Sequence, residues 1–137
     1  MDDTVGEPTQ AFEMNGGALG ERMGIEVIEA TSERVVATMP VEGNTQPYRL
    51  LHGGASCVLA ETVGSIAAAL HAGPDRLALG TDINATHHTA VRKGTVTAVA
   101  TAARAGRSVA TYDILITDQR DRRVCTARLT CMLVDRA

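Results

Sequence analysis

A single carboxylate, Glu61, lies inside an otherwise uncharged segment that runs from Leu50 to Pro74. That segment opens with a His-Gly-Gly turn at residues 52–54 and continues as an apolar run, which is typical of a helix buried on all sides. A buried carboxylate costs free energy unless it is paired or used in chemistry. Glu61 is therefore the first candidate for a functional residue.

The His-Gly-Gly turn offers a complementary chemical group. The first backbone N–H groups of a helix have no intrahelical partner and carry partial positive charge. Because Gly53 and Gly54 lack side chains, a ligand oxygen can approach these N–H groups closely. Such donors suit the oxyanion that forms during acyl transfer. Glu61 would act as base or nucleophile on the same acyl carbon.

The spacing along the helix separates these two groups. Residues 54 and 61 are two turns apart, which at the usual helical rise places them about 10 Å apart along the axis. The Glu61 side chain leans toward the helix N-terminus, but this recovers only part of the distance. One helix can hardly present both groups to one carbonyl, whereas two antiparallel copies can. If the site transfers acyl groups, we expect two subunits to share it.

A purely structural interpretation of these residues remains open at this point. Ser65 follows Glu61 by four residues on the same helix face, so it would orient the carboxylate or hold a water. Ser65, or Arg49 of a partner chain, would equally satisfy a Glu61 that has only a structural role. His52 would then simply begin the helix.

Composition limits the class of protein. The 137 residues carry a formal net charge of −3, with 45% apolar and 21% charged side chains. These values indicate one globular domain and no general affinity for nucleic acid. Three cysteines, an acidic N-terminus and the lack of a Cys-x-x-Cys motif predict reduced thiols in the cytoplasm and no metal site. Polar residues around Glu61 argue against a membrane span.

Hydrophobic periodicity and turn residues predict an α+β chain. In chain order we expect a short helix within 12–23, strands at 25–31 and 34–39, a long helix at about 53–71, and strands at 78–87, 95–103, 108–117 and 123–134. This order favours one long helix packed against an antiparallel sheet, with both sheet edges left for a partner chain.

The run Gln46-Pro-x-x-x-Leu51-His-Gly-Gly-Ala-Ser56, followed by Leu59-Ala-Glu61 and Gly64-Ser65, resembles the hotdog-fold acyl-CoA thioesterases. It is most similar to the branch with the 4-hydroxybenzoyl-CoA, phenylacetate-pathway, enterobactin-proofreading and 1,4-dihydroxy-2-naphthoyl-CoA thioesterases. The resemblance covers about residues 15–134. It implies a hotdog domain at residues 15–137, a curved antiparallel sheet around one long helix, after a flexible segment at residues 1–14.

This resemblance implies hydrolysis of an acyl-CoA thioester, aryl or small acyl, to free acid and CoA without cofactor or metal. Glu61 would be the nucleophile or the general base for water. The Gly54 N–H of the opposite subunit would polarise the thioester carbonyl, and Gln46 and His52 would lie near that carbonyl and its sulfur. Ser65 would assist Glu61 or the water. The family forms side-by-side homodimers, and these often pair again into tetramers.

The substrate-binding residues follow from the same resemblance. Basic turns would contact the CoA phosphates through Arg92, Lys93, Arg104, Arg107 and Ser108. The family often carries a basic residue where this chain has Thr89. The pocket and its edge would include Gly53, Val58, Thr62, Asn84 and His87.

Two other functions compete with thioester hydrolysis. The run Asp82-Ile-Asn84-Ala-Thr-His87 resembles the Asp-x-Asn-Pro-x-His element of hotdog enoyl-CoA hydratases, although Ala85 replaces the proline and the run follows the long helix. A non-catalytic acyl-CoA-binding module is the second alternative, and it would need no acid in the helix. His88 and the three cysteines are assigned structural roles.

Overall fold

The computed structural model describes residues 16–136, so the predicted flexible segment at residues 1–14 lies outside the described residues. The elements in chain order are α1 (Ala18–Met23), β1 (Glu26–Ala30), β2 (Arg34–Pro40), α2 (Gly53–Ala72), β3 (Arg76–His87), β4 (Thr95–Ala105), β5 (Val109–Thr117) and β6 (Arg123–Asp135). All six predicted strands and the long helix are confirmed, with only small shifts at their ends.

The six strands form one antiparallel sheet in the order β1-β2-β4-β5-β6-β3. Alternate residues of the central strands are buried against α2; in β5 these are Ala110, Tyr112, Ile114 and Ile116. This alternation is typical of an antiparallel sheet that is covered on one face. The predicted α+β architecture, one long helix against an antiparallel sheet, is therefore confirmed.

The helix α2 is the centre of the core. It is long and apolar enough to cross a membrane by length and composition, but it contacts all six strands of the sheet. Gly64 brings it close to β6, because a Cβ at this position would lie 2.7 Å from Leu129 Cδ2. The apolar character of α2 is thus explained by packing within the fold.

The prediction that α2 is buried on all sides is wrong for the single chain. Gly54 and Glu61 are exposed, and Val58 and Ser65 are only half-buried. These four residues follow one another at spacings of three and four, so they lie on one face of the helix. We call them the uncovered stripe. The sheet covers only the opposite side of α2. Apart from Glu61, the residues of the stripe differ too little from those of the buried side to mark it in the sequence.

Candidate active site

The loop before α2 fixes where the helix begins. The Asn44 side-chain amide donates hydrogen bonds to the carbonyls of Met23 and Pro40, both at 2.8 Å. The Asn44 carbonyl in turn accepts from the His52 N–H at 2.9 Å, and the Leu51 N–H donates to the loop between β3 and β4. The N-terminus of α2 is therefore held from both sides.

His52 caps the helix with its own side chain. Its Nδ1 accepts a hydrogen bond from the Gly54 N–H at 2.8 Å. The family resemblance implies that this N–H polarises a substrate carbonyl, but in the structure it already has a partner. The neighbouring Gly53 N–H makes no hydrogen bond with any residue of 16–136. Gly53 therefore supplies the unpaired donor at this end of the helix.

His87 reaches the same end of the helix from β3. It pairs in register with Cys125, so its side chain lies on the helix side of the sheet. A Cβ at Gly53 would lie 2.9 Å from His87 Nε2, which is closer than real Cβ atoms approach. The absence of a side chain at Gly53 thus lets the imidazole pack directly against the helix terminus.

A cavity of about 300 Å³ opens beside the helix N-terminus. It is lined by Gln46, Leu50, Leu51, Gly53, Ser56, His87, His88, Thr89, Ala90 and Val124. Three predicted site residues, Gln46, Gly53 and His87, meet here. The volume is at the lower end of the range for small-molecule sites, and the mixed lining is typical of them.

His88 is a cavity residue that the sequence analysis missed. Its ring Nε2 lies 2.9 Å from the Thr126 hydroxyl, which also accepts a hydrogen bond from Arg123 Nη1 at 2.9 Å. In the sequence, the only indication that His88 belongs to the cavity is its position next to His87. Neighbours in a strand point to opposite faces, and the His88 ring accordingly reaches Thr126, which pairs with Thr86 on the face opposite His87.

Gln46 is held in a tight turn at the cavity wall. Its side-chain oxygen accepts a hydrogen bond from the Tyr48 N–H, and its backbone N–H donates to the Leu50 carbonyl at 2.8 Å. Arg49 has a φ of 64°, a left-handed conformation that closes the turn. Gln46 thus reaches the cavity wall with its side-chain oxygen already engaged by the backbone.

Glu61 lies outside this cavity. Its carboxylate packs against β3, where a Cβ at Gly80 would lie 2.7 Å from Glu61 Oε2. Burial, and then the negative charge of Glu61, raise the pKa of the Cys131 thiol to about 11. No hydrogen bond joins Ser65 to Glu61 in the described part of the chain, and the Ser65 hydroxyl acts as a smaller, opposite influence that lowers the pKa of the Cys131 thiol. One chain thus keeps Glu61 apart from the helix N-terminus.

The predicted phosphate contacts lie at opposite ends of the sheet. Arg92 and Lys93 precede β4, at the end where α2 begins. Arg104, Arg107 and Ser108 lie at the β4–β5 hairpin, which receives a hydrogen bond of 2.7 Å from the C-terminal turn of α2. A helix of this length spans about 30 Å. The two sets of residues in one chain are therefore too far apart to bind the same cluster of phosphates.

Three further arginines share the end of the sheet that carries Arg92 and Lys93, and one of them, Arg122, is paired with Asp118. Arg120 and Arg123 lie at the β5–β6 hairpin, which is joined to the start of β4 by a hydrogen bond from the Thr95 N–H to Gln119 Oε1 at 3.4 Å. The sequence analysis did not assign them to the site, because only the sheet topology brings the two loops together.

The remaining predicted contacts lie away from the cavity. Asn84 pairs with Arg128, on the face of β3 opposite His87. Val58 belongs to the uncovered stripe, and Thr62 packs against Gly16. Asp82 shares the outer face with Asn84, so the Asp–His pair of the hydratase alternative does not converge on one chain.

Metal ligands do not cluster in the described chain. No group of three or more His, Cys, Asp or Glu side chains within residues 16–136 is arranged to hold an ion.

Comparisons with known proteins place this geometry in context. The family model described as thioesterase superfamily matches residues 48–125. The proofreading thioesterase EntH of Cronobacter turicensis is 44% identical over 115 residues, which cover 83% of this chain and 84% of that protein. A Haemophilus influenzae thioesterase structure matches with a TM-score of 0.85 at 34% identity, covering 96% of this chain and 92% of that one. A mutant thioesterase from Pseudomonas aeruginosa matches with a TM-score of 0.86 at 35% identity over 97% of both chains.

Proposed function

The chain belongs to the thioesterase superfamily, with its hotdog fold and thioester hydrolase activity, and on that premise we propose that it hydrolyses an acyl-CoA to free acid and CoA. The observation that carries this proposal is the unpaired Gly53 N–H in a cavity with Gln46 and His87. A helix N-terminus with a free donor suits a thioester carbonyl that becomes an oxyanion. An aryl or small acyl group suits the cavity volume.

We propose that the complete site forms only when two chains meet. The uncovered stripe carries Glu61, and β3 beside it is an edge strand of 12 residues, most of them exposed. Unpaired edge N–H and C=O groups favour pairing with another chain. Antiparallel pairing of two β3 edges about a two-fold axis would bring Glu61 of one chain toward Gly53 of the partner subunit. Two such dimers would then associate as a dimer of dimers.

The reaction would proceed on a carbonyl bound to the Gly53 N–H. Glu61 of the other subunit would take a proton from water as that water attacks the carbonyl carbon. Alternatively it would attack the carbon itself to form an acyl-enzyme anhydride, which water hydrolyses to the free acid after the thiolate has left. The oxyanion would be held by the backbone donor, with the His52 Nε2–H and the Gln46 amide as further donors. The C–S bond then breaks, and the thiolate leaves and is protonated. Gly54 would join as a donor only after the His52 ring moves away.

The CoA phosphates would bind where two chains contribute cations. In an antiparallel dimer, the far end of one sheet approaches the helix N-terminus of the other. Arg92 and Lys93 of one chain would then act together with Arg104, Arg107 and Ser108 of the partner subunit. The free cysteines Cys57, Cys125 and Cys131 suit a reducing, cytoplasmic location.

A hydrolysis screen tests this proposal. Purified protein would be assayed with benzoyl-, phenylacetyl-, naphthoyl- and medium-chain acyl-CoAs, in parallel with Glu61→Gln and with Glu33→Gln, an exposed glutamate outside the site, as control. We expect turnover of at least one substrate and a loss of about 10²–10⁴-fold in kcat for Glu61→Gln alone. Binding without turnover would favour the non-catalytic module, and near-normal turnover by Glu61→Gln would remove this residue from the chemistry.

A further inference from the structure

Gly80 is an unusual residue for the middle of an edge strand. Glycine weakens a strand because it has no side chain to pack and loses much backbone freedom on folding. Six described glycines have a positive φ, but Gly80 is not one of them. Its backbone conformation is therefore open to any residue. Something outside the backbone must explain why β3 carries a glycine here.

The Glu61 carboxylate supplies that explanation. A Cβ at Gly80 would lie 2.7 Å from Glu61 Oε2, whereas its next contacts, with Glu61 Cδ and Leu129 Cδ1, would be ordinary ones at 3.6 Å. Only the carboxylate oxygen occupies the space that a side chain would need. Glu61 is also the residue whose position matters most to the proposed chemistry.

The strand is shaped locally around this contact. The register of β3 against β6 shifts between Gly80 and Asp82, so Thr81 is the extra residue of a β-bulge. The Thr81 hydroxyl donates to the Thr130 carbonyl at 3.1 Å and anchors the bulge. Bulges occur often beside active sites, where they change the direction of a strand. Here the bulge lies at the edge proposed to meet a second chain.

We propose that Gly80 is a positioning residue for Glu61. By leaving its Cβ space empty, it lets the carboxylate rest against the backbone of β3, which holds the acid in one place while its other side stays open. Gly80 acts through Glu61 and contacts no substrate. This inference rests on the proposed catalytic role of Glu61, so its test must separate the two.

The first experiment compares Gly80→Ala with Leu79→Ala in the intact protein. Leu79 pairs with Met132 and faces away from the helix, so its replacement reports on general disturbance of β3. The new methyl group requires the carboxylate oxygen to move by several tenths of an ångström from its 2.7 Å position, and we expect this shift to lower kcat by roughly tenfold. KM should stay nearly unchanged, and Leu79→Ala should keep most of the wild-type kcat. If Gly80→Ala retains kcat within twofold while Glu61→Gln is inactive, the positioning role is overturned and the proposed function stands.

A second experiment asks whether the two residues act on each other. Aspartate is one methylene shorter than glutamate, so Glu61→Asp leaves room for a methyl group at position 80. We expect Glu61→Asp to lower kcat much less in the Gly80→Ala background than in the wild type. Independent losses that multiply in the double variant would contradict the proposal.

A stability measurement keeps the proposal testable if Gly80→Ala folds poorly. Glu61→Ala removes the oxygen with which the new methyl group collides. The thermal midpoint of Gly80→Ala should therefore recover in the Glu61→Ala background, because alanine is otherwise at least as favourable as glycine in a strand. A loss of stability that persists without the carboxylate would show that Gly80 serves the strand and not Glu61.

Discussion

The Nδ1 atom of His52 accepts a hydrogen bond from the Gly54 N–H at 2.8 Å. The His52 side chain therefore caps α2 and also occupies one of the backbone donors at the helix N-terminus. An Nδ1 that accepts this bond carries no proton, so the neutral ring must carry its proton on Nε2. The cap therefore fixes the tautomer of this ring.

Replacement of His52 should separate these two roles. Asparagine can cap a helix, whereas alanine cannot. We expect His52→Ala to lose about 1 kcal/mol of unfolding free energy, and His52→Asn to lose much less. Both variants should lose activity, because neither retains the Nε2–H. Chemical denaturation and steady-state hydrolysis of the same preparations provide the measurements, and an active His52→Asn would show that the ring serves only as a cap.

Mixed dimers should reveal whether two chains share each site. Glu61→Gln and Gly53→Val should both be inactive as homodimers. In a shared site, a heterodimer of the two contains one intact combination, Glu61 of one chain with Gly53 of its partner. Random mixing of equal amounts should then restore about a quarter of the wild-type rate. If each site lay within one chain, every site in the mixture would carry a defect and no activity would return.

The basic residues near the N-terminus of α2 should contribute only to binding of the nucleotide part of the substrate. We expect the double replacement of Arg92 and Lys93 by alanine to raise KM for an acyl-CoA by roughly tenfold, because charge-assisted contacts with phosphate are lost. The same variant should hydrolyse the matching acyl-pantetheine, which has no phosphates, like the wild type. Arg34→Ala serves as control, because Arg34 lies in β2, well away from β3 in the sheet order. An equal loss of activity on both substrates would show that Arg92 and Lys93 do not act by binding the phosphates.

Asp118 should make the stability of the β5–β6 hairpin depend on pH. Burial alone would raise the pKa of this carboxyl, but hydrogen bonds from the Arg122 and Arg120 backbone and the Arg122 guanidinium outweigh it and lower the pKa. A lowered folded-state pKa stabilises the protein above the unfolded pKa of about 3.9, and this contribution is lost as pH falls through the folded pKa.

Thermal melting across pH tests this expectation. Asp118→Asn should lower the melting midpoint at neutral pH, and the difference from wild type should shrink below about pH 4. Asp121→Asn is the matched control, since it lies in the same hairpin and asparagine tolerates its φ of 59°. A constant difference between Asp118→Asn and wild type at all pH values would contradict the ionic contribution.

Much of the fold was predictable because its signals are local. Alternation in β5 and turn residues between the strands mark elements that form over a few neighbouring residues, and the structure confirms them. The His-Gly-Gly turn marks the start of α2 for the same reason, since unpaired N–H groups and missing side chains are properties of consecutive residues. The separation of residues 54 and 61 also follows from helical rise alone.

Burial of α2 was predicted less well. Apolar and small residues surround Glu61 on every side of the helix, so periodicity does not distinguish the face that packs on the sheet from the uncovered stripe. That distinction depends on how far one sheet reaches around a helix, which is decided by the packing of six strands and not by the helix sequence.

The amino-acid sequence by itself determined the elements, the helix that presents Glu61 and the backbone donors at the start of that helix. Only the tertiary structure decided that His87 packs against Gly53 and that Gly80 leaves room for Glu61. Each of the contacts of Gly53 and Gly80 joins α2 to the distant strand β3. Their existence depends on the sheet register and a bulge, and a one-residue change of register would turn every side chain of β3 to the other face.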